Sequence, residues 1–84
     1  MTLYKFNKLT HAQQLLMLNI HGAKLDYRKE GNFHIALFQM GKFYVEAYYP
    51  REKIEVEKLV AFSGTSKLKP YLEKIDIRML LVQD

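Results

Sequence analysis

Three side chains with acid–base chemistry fall in segments of this 84-residue sequence that alternate as strands do: Asp26, His34 and Glu46. In the strand register argued below, His34 lies on a central strand with one carboxylate on each side, at cross-strand distance. Two neighbouring carboxylates favour the imidazolium form, which is how an acid–base or pH-sensing site is built. The alternative is a solvated stripe of mixed charge that keeps the sheet soluble.

The register depends on two glycines that separate three of the strands. Gly31 and Gly41 each suit the left-handed position that ends a three-residue hairpin loop. Loops of that length make one face of the sheet uniformly apolar. This first face is then formed by Leu25, Tyr27, Phe33, Ile35, Leu37, Phe43, Val45 and Ala47, and the opposite, second face carries Tyr44, Glu46 and Tyr48. Two-residue loops would instead set Phe38 and Ala36 beside Val45, so burial favours the longer loops.

An N-terminal helix precedes these strands. Residues 1–9 contain Leu3, Tyr4 and Phe6 and are expected to dock as an arm. Thr10 and Gln13 have the spacing of a capping box, and Gly22 ends the helix. Its apolar arc, expected to face the core, is Ala12, Leu15, Leu16 and Ile20.

The strands are expected near residues 23–29, 32–39, 42–49 and 54–62. A break in alternation at Glu57 and Lys58 suggests a β-bulge in the last strand. Pro70 opens a short helix over 70–75, and Asp76 is the N-cap of a final turn or two. The prediction is one domain, residues 1–84, of the α+β class: a four-stranded antiparallel meander with an N-terminal helix and one or two short C-terminal helices.

This order predicts which residues build the core. The N-terminal helix is expected to pack on the first face, against Leu25, Ile35, Leu37 and Val45. Tyr71 and Leu72 of the C-terminal helix are expected to join the same core.

The aromatic second face predicts an interaction surface. Phe38, Tyr44 and Tyr48 are expected to lie there, and such patches are typical of protein interfaces. The partner is expected to be another protein or, since small chains commonly close an exposed sheet in a two-fold dimer, a second copy. Alternatively, Met79 to Val82 of the C-terminal segment cover this face and leave no site.

Nucleic acid is the alternative partner. The chain has 13 Lys and Arg against 9 Asp and Glu, a formal net charge of +4, and the sheet face also carries Arg28 and His34. Asp26 and Glu46 on the same face would repel phosphates, and the basic residues do not cluster along the sequence. We therefore expect a non-enzymatic protein-binding or regulatory module, with nucleic-acid binding as the competing hypothesis.

Other chemistry finds less support. Ser63, Thr65 and Ser66 lack an activating base, so a hydrolase is not expected. His11 and His21 fall on different sides of the helix, and no metal or cofactor is expected. The sequence has no cysteine and no apolar run near the roughly 20 residues that span a bilayer, which predicts a cytoplasmic protein without membrane contact.

Three stretches carry a resemblance to a known group: FNKLT at 6–10, FYVEAYY at 43–49 and LKPYLEKIDI at 68–77. In these the chain resembles a group of small, single-domain bacterial proteins with no assigned activity. The resemblance implies a compact α+β domain. It carries over no functional residue, because the shared stretches are packing and turn patterns.

Overall fold

The computed structural model describes residues 1–72, and these confirm the predicted α+β fold. Two N-terminal helices precede a four-stranded antiparallel sheet of order β1-β2-β3-β4, and a short helical segment follows it. The elements are α1 Leu3–Asn7, α2 His11–His21, β1 Ala23–Glu30, β2 Phe33–Met40, β3 Phe43–Pro50, β4 Lys58–Phe62, a 3-10 turn Ser66–Leu68 and α3 Lys69–Leu72.

The N-terminal segment, predicted to dock as an arm, contains the helix α1. Thr2 caps α1 by accepting a hydrogen bond from the Lys5 amide, and Phe6 of α1 is fully buried, so the segment is docked as predicted. The side-chain amide of Gln14 on α2 donates to the Phe6 carbonyl at 2.9 Å. The two helices therefore form one packed unit.

The capping box of α2 is confirmed. Thr10 Oγ1 accepts from the Gln13 amide at 3.2 Å, and Gln13 Oε1 accepts from the Thr10 amide at 2.9 Å. Gly22 ends the helix with an extended backbone, φ −76°, rather than a left-handed one. A Cβ there would lie 2.5 Å from the Leu18 carbonyl oxygen, so glycine is needed for close approach.

The two hairpin loops contain two residues each, not three. Glu30 pairs with Phe33 and Met40 pairs with Phe43. The glycines do adopt the left-handed region, with φ of 58° at Gly31 and 66° at Gly41, but each is the first loop residue. A positive φ at the first loop residue only is the pattern of a type II′ turn.

The shorter loops make the predicted register wrong, and the error is confined to β2. Ala36 lies opposite Tyr27 and Ala47, and Phe38 lies opposite Val45, so these residues join the first face. Ile35 and Leu37 move to the second face. The sides predicted for β1 and β3 do not change, because both neighbours of β2 shift against it by an odd number of residues, which turns only β2 over.

The first face carries the larger core. Its buried members are Phe6 and Leu18 from the helices and Met40, Phe43, Val45 and Ala47 from the sheet. The rings of Phe6 and Phe43 lie 5.6 Å apart and tilted, a favourable aromatic geometry.

The second face has a core of its own, which the prediction did not include. Leu37, Phe62 and Tyr71 are buried together, with Tyr44 and Leu68 packed against them. Tyr71 therefore covers the second face rather than joining Val45 on the first. The sheet is apolar on both sides because β2 supplies apolar side chains to each.

The fourth strand is shorter than predicted. β4 begins at Lys58, and the stretch before it lies outside the sheet, although Val56 packs against the first-face core. The register irregularity falls between Lys24 and Asp26 on β1. The bulge predicted at Glu57 and Lys58 is therefore wrong.

The orientation of α2 also differs from the prediction. Leu18 is its buried residue, whereas Leu16 and Ile20 from the predicted core-facing arc are 53% and 58% exposed. Leu25, a predicted core partner of the helix, is 50% exposed at the β1 irregularity. A stripe with four-residue spacing, Ala12, Leu16 and Ile20, thus faces away from the sheet.

The C-terminal helix begins at Lys69, one residue before the predicted start at Pro70. The rest of the predicted 70–75 helix, the Asp76 cap and the predicted cover by Met79 to Val82 lie outside the described residues.

Phe6 and Tyr4, both aromatic and both on α1, provide a matched test of this packing. Phe6→Ala is expected to lower the free energy of unfolding by about 3–5 kcal/mol, because it leaves a cavity in the first-face core. Tyr4 is 68% exposed and contacts the Lys8 ammonium 4.2 Å from its ring, so Tyr4→Ala should cost less than about 1 kcal/mol. Denaturant unfolding measures both, and equal losses would contradict the docking of α1.

Candidate functional site: a charged pocket on the second face

A buried carboxylate lies at the centre of the second face. Glu46 on β3 faces Leu37 on β2 and Val60 on β4, and its side chain is only 4% exposed. Burying a charge among apolar side chains is costly unless it is paired and hydrogen-bonded. β1 and α3 supply those partners.

Arg28 on β1 is the cationic partner. Its Nε and Nη2 atoms both donate to Glu46 Oε2, at 3.3 and 3.2 Å, and Nη1 donates to Glu30 Oε2. Burial alone lowers the pKa of Arg28, but hydrogen bonds to Glu30 and Tyr71 and the charge of Glu46 raise it above its ordinary value. The guanidinium is therefore held charged and oriented by two carboxylates.

Tyr71 of α3 completes the cluster. Its hydroxyl donates to the same Oε2 atom at 2.7 Å, and the Arg28 guanidinium lies 5.7 Å from its ring centroid. Burial and the hydrogen bond to Glu46 raise the pKa of Tyr71 well above its ordinary value. Oε2 thus accepts three hydrogen bonds, which suits it to anchor α3.

A pocket of about 580 Å³ opens beside this cluster. Arg28, Glu30 and Glu46 form one side, and the 3-10 turn and α3 contribute Lys67 and Lys69 on the other. Its volume is within the range of small-molecule sites. Among the described residues its lining therefore carries charges of both signs.

Tyr48 supplies the aromatic wall of the pocket. Its ring meets Phe33 edge-on at 5.6 Å, and the Lys58 ammonium lies 4.4 Å from its centroid. Burial, followed by the negative charge of Glu46, raises the pKa of Tyr48. Its hydroxyl therefore remains a hydrogen-bond donor at neutral pH.

The structure does not bring Asp26, His34 and Glu46 together. His34 lies on the first face, opposite Lys29 and Tyr49, because β2 is inverted relative to the prediction. Asp26 and Glu46 do share the second face, separated by Leu37. The predicted cross-strand contact of His34 with both carboxylates is therefore absent.

The predicted interaction surface is divided in the same way. Phe38 lies on the first face, half-buried against the core. Tyr44 remains on the second face but stacks on Phe62 at 5.6 Å, beneath Leu68 and Tyr71 of the second core. Tyr48 lines the pocket, and all three side chains are partly buried.

Sequence reasoning missed the partners of Glu46. The sequence did contain a signal: Glu46 lies between Val45 and Ala47 in a strand with aromatic residues at both ends, which predicts that its carboxylate is buried. A buried carboxylate requires a cation as its partner. The chain has only Arg28, Arg51 and Arg78 to offer a bidentate fork. Arg28 lies on the strand that pairs with β2, so a corrected register would have brought it near Glu46.

Comparison with family models, with curated proteins and with solved structures finds no match for this chain. Its resemblance to small bacterial proteins of unassigned activity therefore stays a prediction.

Two further findings concern residues 1–72. None of their helices has the length and apolarity needed to cross a bilayer. They contain no group of three or more His, Asp or Glu side chains placed to hold a metal ion.

Glu46 and Glu30 both bind Arg28, which permits a matched comparison of buried and exposed partners. Glu46→Ala is expected to lower the free energy of unfolding by about 3 kcal/mol, because it removes the acceptor shared by Arg28 and Tyr71. Glu30 is 63% exposed, so Glu30→Ala should cost less than about 1 kcal/mol. Chemical denaturation measures both, and a larger loss from Glu30→Ala would show that Glu46 does not anchor the cluster.

Tyr71→Phe tests the cluster through pH. Because the folded-state pKa of Tyr71 is raised, its contribution is complete below the unfolded value of about 10 and declines as pH rises above it. The stability of the wild type should therefore fall more steeply above pH 10 than that of Tyr71→Phe. Thermal unfolding from pH 8 to 11 measures the difference, and Tyr4→Phe, at an exposed ring, is the control. Parallel curves for wild type and Tyr71→Phe would contradict the assignment.

Proposed function

We propose that this chain is a non-enzymatic protein-binding module whose contact element is the outer side of α2, and whose partner is a second copy of the chain. The observation that carries this proposal is the exposure of Leu16 and Ile20 on adjacent turns of one helix. Surface apolar residues gathered on one side of an element are typical of interaction sites.

The charge pattern supports a second copy as the partner. The sequence of α2, HAQQLLMLNIH, contains no Asp, Glu, Lys or Arg, although the chain carries a formal net charge of +4. Two copies can therefore place α2 against α2 without like-charge repulsion at the contact. A two-fold arrangement uses the same patch on both chains, which an uncharged stripe satisfies.

The size of the stripe sets the expected strength of association. α2 has 11 residues and is about 16 Å long at 1.5 Å per residue. A standard interface buries about 800 Å² on each partner, more than one stripe of this length offers. The association is therefore weak and concentration-dependent. We place it in the cytoplasm, as the lack of cysteine allows.

The proposed contact surface, on α2, differs from the one expected from the sequence, on the second face of the sheet. Tyr44 is stacked on Phe62, and Tyr48 contacts Phe33 and the Lys58 ammonium. Both rings are thus partly buried, whereas Leu16 and Ile20 are more than half exposed.

The test replaces the stripe without weakening the helix. Leu16→Gln with Ile20→Gln is expected to abolish self-association, because glutamine favours a helix but removes the apolar contact. Sedimentation velocity over a hundredfold range of concentration measures association, and circular dichroism checks the fold.

The control is Ile54→Gln, which removes a 94% exposed apolar side chain elsewhere and should leave association unchanged. A wild type that is monomeric throughout the range would refute self-association. Loss of association in Tyr44→Ser with Tyr48→Ser, but not in the α2 variant, would return the contact to the second face.

A further inference from the structure

We infer that the pocket on the second face binds the phosphate of a nucleotide, with Lys67 and Lys69 as the phosphate contacts and Tyr48 beside the base. This site lies across the sheet from the outer side of α2 and does not depend on the proposed self-association.

The side chains that line the pocket carry a net positive charge. The cations Arg28, Lys67 and Lys69 that line the pocket outnumber its two carboxylates, Glu30 and Glu46. Lys58, whose ammonium lies 4.4 Å from the Tyr48 ring, adds a fourth positive charge at the edge. The site therefore favours an anionic group.

Both carboxylates are already paired with a cation, and the one guanidinium they share balances one of their two charges. The guanidinium of Arg28 binds Glu46 and Glu30 together, and the Tyr71 hydroxyl donates to Glu46 as well. Glu46 is therefore not the bare negative charge that the sequence alone suggested would repel phosphate. Lys69 has no hydrogen bond or ion pair that competes for its charge among the described contacts, and the Lys67 ammonium lies 5.7 Å from the Phe62 ring centroid.

Tyr48 and Phe33 form an aromatic wall beside these charges. Tyr48 and Phe33 meet edge-on, and the Lys58 ammonium lies over the Tyr48 ring, so an aromatic pair adjoins a basic group on this side of the sheet. Aromatic rings beside lysines are typical of sites where bases stack and phosphates are bound. The volume of about 580 Å³ accommodates a mononucleotide rather than phosphate alone.

The experiment titrates the full chain with three probes: inorganic phosphate, adenosine monophosphate and a short single-stranded oligonucleotide. Calorimetry or NMR measures binding at low and at physiological salt. We expect the mononucleotide to bind more tightly than phosphate, and its affinity to fall as salt rises. An oligonucleotide that binds more tightly still would identify single-stranded nucleic acid as the source of the phosphate, and equal affinity would identify the free nucleotide.

The variants locate the site. Lys67→Ala with Lys69→Ala is expected to weaken mononucleotide binding by about tenfold, because two charge-assisted contacts are lost. Lys5→Ala with Lys42→Ala, in α1 and in the β2–β3 turn, changes the net charge equally and should leave the affinity within twofold. Tyr48→Leu should reduce the advantage of the mononucleotide over phosphate.

Three outcomes would overturn the inference. These are no binding of any probe at low salt, equal weakening by the two double-lysine variants, and a mononucleotide that binds no more tightly than phosphate. Each of these leaves the sedimentation result for α2 unaffected, so the two proposals fail separately.

Discussion

The charge of Glu46 is the constraint on which the second half of this structure depends. A carboxylate 4% exposed inside a sheet costs several kcal/mol of desolvation unless donors reach it. Arg28 and Tyr71, from the first strand and the last described helix, both donate to its Oε2 atom. β1 and α3, which are far apart in the chain, are thus both bound to one oxygen of Glu46. α3 lies on the sheet where the Tyr71 hydroxyl reaches that oxygen.

The same arrangement explains why a chain of 84 residues can bury both faces of its sheet. The two-residue hairpin turns assign Ile35 and Leu37 to the face that carries Glu46. Leu37 then packs with Phe62 and Tyr71, so the helix that satisfies the carboxylate also covers an apolar cluster. Polar and apolar contacts therefore act together on the described turn of α3.

The elements that local sequence signals determine could be predicted. The strand register, and with it the face on which each β2 side chain lies, could not. The capping box at Thr10 and the positions of the strands follow from nearby residues. A glycine with positive φ, however, suits both a two-residue and a three-residue loop. Burial favoured the longer loop wrongly, since β2 carries Phe33, Ile35 and Leu37 on one side and Ala36, Phe38 and Met40 on the other, and either side can face a core. The α2 sequence has the same ambiguity, because LLML is apolar on every side.

The candidate site could not be predicted from the sequence for a related reason. Only the correct strand register and the docked helix α3 bring its residues together. These residues are Arg28, Glu46, Tyr48, Lys67, Lys69 and Tyr71. This has a thermodynamic consequence. Tyr71 fixes α3 from the side of Glu46, while Lys67 and Lys69 face the pocket from the same short segment. A ligand that binds these lysines only when the segment is docked must stabilise docking by the free energy of its own binding. For such a ligand, a change that loosens Tyr71 from Glu46 would also weaken binding in the pocket.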